Sequence, residues 1–264
     1  GVFTTLVRAL GIPKVEVVEL YDIEPWATDH LGSPIGLIFC FLYQKDKHRP
    51  REFRDSAGER LWFANQLCED ACASQALLNI VFNTDVEIGG TLAAFKADTM
   101  EMSPVMRGLA ISNSLPIRAA HNALARYTSP TTRQRQRSDI QSADDLEETY
   151  HFIGYIPAHG KVWELDGLKP GPLEVGEMNY GGSGAEGWMD VVRPALRLKM
   201  KKYGGAEEGA NIKFNLLALV NEQYCNASDE LELAKRKRSQ LERRLDAKYP
   251  QGWQGQVRSP LSLS

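Results

Sequence analysis

A cysteine stands where a polar loop gives way to an apolar run, in Asn65-Gln66-Leu67-Cys68-Glu69-Asp70-Ala71-Cys72-Ala73-Ser74-Gln75 followed by Ala76-Leu77-Leu78-Asn79-Ile80-Val81-Phe82. The start of a helix presents unpaired N–H groups and the positive end of its dipole. Both stabilise a thiolate, the reactive form of cysteine. Gln66 can donate an amide N–H toward the same point, as an oxyanion hole requires. Nucleophilic catalysis then needs a base and a group that orients it.

A hairpin supplies both. Tyr150-His151-Phe152-Ile153-Gly154-Tyr155-Ile156-Pro157 and Lys161-Val162-Trp163-Glu164-Leu165-Asp166-Gly167 flank Ala158-His159-Gly160. If His159-Gly160 is a two-residue turn, Ile153 opposes Asp166, and His151 is a diagonal neighbour of Asp166 on the same face. Diagonal pairs lie ~7–8 Å apart at the backbone, within reach of longer side chains. A carboxylate there accepts from one imidazole nitrogen and leaves the other facing the thiol. A turn one residue longer or shorter would put the two side chains on opposite faces. Taken singly, each member has a plainer reading: a strand histidine is structural, Asp166 before Gly167 ends a strand, and Gln66 is one amide among many. The four together are what point to catalysis.

The elements that must carry these residues follow from periodicity. Helices are expected at Phe3–Leu10, Ala71–Phe82, Thr91–Ala97, Leu115–Tyr127, Ala185–Tyr203 and Asp229–Tyr249, and strands at Val15–Tyr21, Ile35–Tyr43, the two hairpin arms and Asn211–Asn221. Ile35–Tyr43 is apolar nearly throughout, as in a strand covered on both faces. Lys45–Arg60 is charged and turn-rich, an exposed loop. Thr128–Thr149 is polar and without period, and a stretch that long inside a domain is a functional loop or a solvated linker.

The chain has 264 residues, net charge −3, 43% hydrophobic and 25% charged side chains. That suits one large domain with an appendage, and gives no global attraction to nucleic acid or anionic membranes. No apolar run approaches the ~20 residues that span a bilayer. The start at Gly1 has no signal-peptide pattern and reads as trimmed, so a targeting signal could have been lost. Cys40, Cys68, Cys72 and Cys225 are too scattered for a disulfide scaffold, which indicates a reducing, intracellular compartment. Cys68 and Cys72 have zinc-like spacing, but no second pair completes a site, so no metal and no cofactor are expected. Cys40, Cys68 and Cys225 read as bystanders, and His30, His48, His121 and His159 as histidines without chemistry.

At these residues the chain resembles the ubiquitin C-terminal hydrolases, papain-like thiol deubiquitinases, and is most similar to their larger, proteasome-associated branch. The matching motifs are Gly1-Val2-Phe3-Thr4, Gly36-Leu37-Ile38-Phe39, Asn65-Gln66, Ala71-Cys72-Ala73-Ser74-Gln75-Ala76, Gly108 to Ser114, Tyr150-His151-Phe152, Glu164-Leu165-Asp166-Gly167-Leu168 with Gly171-Pro172, Arg193-Pro194 and Phe214-Asn215-Leu216. The resemblance implies an α/β (α+β) fold with a central, mostly antiparallel sheet flanked by helices. It implies a catalytic domain over 1–225 and a helical extension with a disordered tail over 226–264. Cys72 matches the nucleophile, His151 the general base and acid, Asp166 its orienting residue, and Gln66 the oxyanion-hole donor. Thr128–Thr149 matches the crossover loop that arches over the active site. The implied activity is hydrolysis after ubiquitin's terminal glycine. The implied partners are ubiquitin, its conjugates and, through the extension, the proteasome's ubiquitin-receptor subunit, in cytoplasm and nucleus. A ubiquitin-binding scaffold of low activity, or a papain-like peptidase with another substrate, are the other readings.

Glu69-Asp70 directly before Ala71-Cys72 depart from the family's uncharged residues there. Asp70 is a good N-cap, but its charge raises the pKa of a thiol beside it. Asp70→Asn is therefore expected to shift the acid limb of the pH–rate profile downward, and an unmoved limb would exclude the effect.

Overall fold

A computed structural model describes residues 2–42, 55–67, 72–125, 150–178, 187–203 and 214–249. The chain divides into two compact units, Gly1–Asn221 and Glu222–Ser264. In order, the first unit holds α1 (Val2–Ala9), β1 (Val15–Leu20), α2 (Pro25–Thr28), β2 (Gly36–Leu42), α3 (Cys72–Val81), α4 (Gly90–Thr99), α5 (Pro104–Asn113), α6 (Leu115–Ala125), β3 (Tyr150–Ala158), β4 (Lys161–Leu165), β5 (Leu173–Glu177), α7 (Gly187–Tyr203) and β6 (Phe214–Asn221). The second unit holds α8 (Gln223–Lys248).

The six strands form one sheet in the order β1-β6-β2-β3-β4-β5, with every neighbouring pair antiparallel. Apolar residues of alternate parity cover its two faces, because successive strand side chains point opposite ways. On one face Ile38, Ile156, Trp163, Leu217 and Leu219 pack with Leu77, Leu78, Ile80 and Val81 of α3 and with Leu6 and Val7 of α1. On the other, Leu37, Phe39, Phe41, Ile153, Tyr155 and Val162 pack with Trp188, Met189, Val192 and Leu196 of α7. The double covering expected for β2 is what the structure has: its first six residues are all buried.

α3 is the central helix, buried from Ser74 through Val81, with Ser74, Gln75 and Asn79 as buried polar side chains among its apolar ones. It lies close to the sheet at Gly154, where an added Cβ would come within 2.9 Å of Ile80 Cγ1. The β3–β4 hairpin closes on His159-Gly160, both at positive φ (52° and 79°), which defines the type I′ turn whose twist matches the flanking strands.

Three elements were not anticipated from the sequence: α2, α5 and β5. α5 follows Ser103, whose hydroxyl accepts from Met106 N–H at 3.3 Å, and has Pro104 in its first turn, a start signal in plain view. Ser112 and Asn113, polar residues shortly before α6, lie within the last turn of α5. β5 is a five-residue edge strand that meets β4 through a register shift at Val162/Trp163. α8 begins at Gln223, upstream of the expected Asp229, and is laced by Lys235–Glu232 and Arg238–Glu242 pairs. The charged segment at 43–54, the crossover segment at 126–149, Cys68 to Ala71 and the tail from 250 lie outside the described residues. No helix among the described residues is long and apolar enough to cross a membrane.

Candidate active site

The β3–β4 register puts His151 and Asp166 on one face. Gly154 pairs with Leu165 and Tyr155 with Glu164, down to Ala158 with Lys161 beside the turn. Asp166 follows β4 directly and continues the register opposite Ile153. His151 Nε2 lies 2.7 Å from Asp166 Oδ1, with both residues buried. An ionised carboxylate only accepts, so Nε2 carries the proton donated to Asp166, and Nδ1 is the nitrogen on which proton exchange can occur.

Asp166 is itself fixed. Its Oδ1 also accepts Leu168 N–H at 2.9 Å, and its carbonyl accepts Lys169 N–H at 2.9 Å. Burial alone would raise its pKa, but the hydrogen bond and charge of His151, the Leu168 N–H and the Lys169 charge outweigh that and hold it below the usual value. A depressed carboxyl contributes stability above its unfolded pKa and loses it only as pH falls through the lowered one. The pair is therefore intact at neutral pH. The His151 ring meets its cross-strand partner Phe41 edge-on, centroids 5.6 Å apart, and Phe41 lies 4.2 Å from the Tyr203 ring of α7.

Cys72 is the first residue of α3, where unpaired N–H groups and the dipole favour a thiolate. Burial raises the Cys40 thiol to about 12, and the charge of Cys72 adds to that rise, so the two sulfurs are within electrostatic reach. Cys40 pairs across β2–β3 with Phe152, next to His151, which sets the head of α3 over this part of the sheet. His121 of α6, which the sequence reading left without a role, has Nδ1 2.8 Å from the buried hydroxyl of Ser74, two residues after Cys72.

Gln66 is brought to Asp166 by main-chain bonds. Its N–H donates to Gly167 O at 2.8 Å, and Asn65 Nδ2 donates to Gly167 O and Lys169 O at 3.1 and 2.7 Å. Position 167 must be glycine for this approach, because an added Cβ would lie 2.9 Å from Gln66 Cβ. Arg107 of α5, buried and stacked 5.5 Å from the Trp62 ring, donates to the carbonyls of Leu61, Phe63, Thr99 and Met100. Sequence reasoning passed over Arg107. It also passed over Gln75, Asn79 and Asn83, amides spaced by four in an apolar run, which was the available signal. Among the described residues, no three His, Cys, Asp or Glu side chains are placed to hold a metal ion. A thiol at a helix start, a buried His–Asp pair and a glutamine whose main chain is tied beside that pair are the groups that acyl transfer through a covalent intermediate uses.

A model of the family described as ubiquitin carboxyl-terminal hydrolase, family 1, matches residues 1–201. The chain belongs to this family. Among family relatives, ubiquitin carboxyl-terminal hydrolase isozyme L5 of Dictyostelium discoideum is 33% identical over 246 residues, 93% of this chain and 66% of that protein. Ubiquitin carboxyl-terminal hydrolase ubh-4 of Caenorhabditis elegans is 35% identical over 224 residues, 83% of this chain and 64% of the other. Calypso of Drosophila melanogaster is 31% identical over 247 residues, 88% and 50%. The chain thus spans from half to just under two thirds of these curated relatives' length. The crystal structure of Trichinella spiralis UCH37 bound to ubiquitin vinyl methyl ester superposes with TM-score 0.69 at 29% identity, covering 95% of this chain and 94% of that one. The fold of this hydrolase family, antiparallel sheet and flanking helices, is the one expected from the sequence.

Gly167→Ala tests the seat of Gln66. The added methyl must displace Gln66 or the Asp166 turn, and misplacement of ~1 Å in a catalytic group costs on the order of 10²-fold. The expected outcome is a fall of about that size in kcat with a smaller change in KM, measured by steady-state hydrolysis of a ubiquitin C-terminal amide.

Proposed function

We propose that this chain is a deubiquitinating cysteine protease that cleaves the (iso)peptide bond after the C-terminal glycine of ubiquitin. The observation that carries it is the buried His151–Asp166 pair at 2.7 Å, in a family member whose central helix opens on Cys72. Ubiquitin as substrate is supported by the Trichinella relative, which is bound to a ubiquitin vinyl methyl ester.

In this reading the reaction has two stages. The Cys72 thiol loses its proton to His151 Nδ1, and the thiolate attacks the glycine carbonyl carbon. The carbonyl electron pair moves onto oxygen, where the Gln66 amide and the Cys72 N–H donate to it. The carbon–nitrogen bond then breaks, His151 protonates the departing amine, and a thioester joins ubiquitin to Cys72. Asp166 holds the imidazole in the useful tautomer and stabilises the imidazolium at each transfer. Water, deprotonated by His151, attacks the thioester and releases the ubiquitin carboxylate and the thiol. No step needs a metal or cofactor.

The finer partner, the proteasome's ubiquitin-receptor subunit, is supported by the resemblance and by α8, a charged helix with Leu231, Leu233 and Leu241 exposed. Co-sedimentation with purified proteasomes, lost on removing residues 222–264, is the expected result. Cytoplasm and nucleus are the compartments this reading implies, and fluorescence imaging of the tagged chain checks them.

Incubation with ubiquitin bearing a C-terminal vinyl methyl ester tests the activity itself. A covalent adduct on Cys72 is expected, absent in Cys72→Ala. An intact protein that forms no adduct, or an adduct that survives Cys72→Ala, overturns the assignment. Asp166→Asn is expected to lower kcat by about 10² or more through loss of the tautomer.

A further inference from the structure

From Leu61, whose backbone is extended, to Gln66 the chain belongs to no helix or strand, yet Trp62, Phe63 and Ala64 are buried. Buried main-chain N–H and C=O groups must find partners. For Trp62 and Ala64 these partners are side-chain amides on and just beyond α3. Asn83 Oδ1 accepts Trp62 N–H and Asn83 Nδ2 donates to Trp62 O, both at 2.7 Å. Asn79 Oδ1 accepts Ala64 N–H at 2.9 Å and Asn79 Nδ2 donates to Ala64 O at 3.2 Å. Gln75 Nε2 donates to the same carbonyl at 2.7 Å. Each asparagine meets a residue's N–H and C=O together, as a neighbouring strand would.

The two periods match. Four helical residues advance about 6.0 Å, and two extended residues about 6.6 Å. Residues 83 and 79 therefore stay level with 62 and 64, and Gln75 joins Asn79 on the Ala64 carbonyl, two residues before Gln66. Cys72, three residues before Gln75, continues the same helix stripe. The alternate residues of the extended segment are held from the other side: Arg107 binds the carbonyls of Leu61 and Phe63, and Asn65 N–H donates to Pro104 O at 2.9 Å.

We propose that Gln75, Asn79 and Asn83 are positioning residues that set the distance between Gln66 and Cys72, and with it the geometry of the oxyanion hole. The inference rests on the reading of Gln66 as an oxyanion donor. An oxyanion donor acts only when it lies within hydrogen-bond reach of where the charge develops. Along α3 these amides hold the register of the segment, while Arg107, Pro104 and Gly167 hold its other side.

The test compares two reactions of Cys72 and uses Gln66→Ala as the reference. Hydrolysis of a ubiquitin C-terminal amide passes through an oxyanion; alkylation by iodoacetamide, a displacement at saturated carbon, does not. Gln66→Ala is expected to lower kcat on the order of 10²-fold, and Asn79→Ala about 10-fold, with KM and the alkylation rate and its pH profile within about twofold of wild type. In the Gln66→Ala background, Asn79→Ala is expected to cost no more than about a further twofold, because residues acting through one group are non-additive. Gln75→Met, which leaves Ala64 O its bond from Asn79, is the variant to use if Asn79→Ala does not fold; a loss of about threefold is expected. Rung substitutions that slow alkylation and hydrolysis alike, that leave hydrolysis unchanged, or that multiply with Gln66→Ala overturn the positioning role and leave the oxyanion reading standing. A Gln66→Ala enzyme with unchanged kcat removes the oxyanion reading, and the ladder's role with it.

Discussion

A two-residue turn decides which side chains of β3 and β4 share a face. Because His159 and Gly160 both take positive φ, the strands meet without an extra residue, and the pairs Gly154–Leu165 and Tyr155–Glu164 fix the frame. His151 and Asp166 are then diagonal neighbours, close enough for a 2.7 Å hydrogen bond. In the same frame Gly154 and Ile156 lie against α3. One turn thus sets the base, its orienting carboxylate and the seat of the helix that carries the nucleophile. A slip of one residue would move every one of them to the wrong face.

That frame also places two buried carboxylates two residues apart, Glu164 on β4 and Asp166 directly after it. Like charges so close repel unless each is separately compensated. Each has its own partner. Glu164 accepts Tyr155 OH at 2.9 Å and Lys199 Nζ at 3.1 Å, while Asp166 takes His151 and the Leu168 N–H. Burial and the Glu164 charge push the Tyr155 phenol well above its usual value, so it stays a neutral donor. Lys199 comes from α7, so that helix supplies apolar cover and the countercharge at once.

What could be read in the sequence was what local periodicity encodes. The hairpin register, the helix opening at Cys72 and the two-sided burial of β2 follow from alternation, turn residues and apolar spacing. β5 escaped because Leu173-Glu174-Val175-Gly176-Glu177 is short, half polar and at an edge. α5 escaped because its apolar residues do not form an inward stripe: Val105, Met106 and Leu109 are exposed while Arg107 and Gly108 are buried. Arg107 and the α3 amides could not be assigned at all from local pattern. Their partners include main-chain groups of Leu61 to Ala64, and only the folded chain brings that segment alongside α3.

Cys40 gives the site a chemical consequence of its own. With its thiol pushed up to about 12 by burial and by Cys72, Cys40 stays protonated at pH 7. Two sulfurs close enough to feel each other electrostatically are thereby made unequal. An electrophile that reaches both at neutral pH will discriminate between them without any selectivity of its own, because strand β2 has withdrawn one from competition.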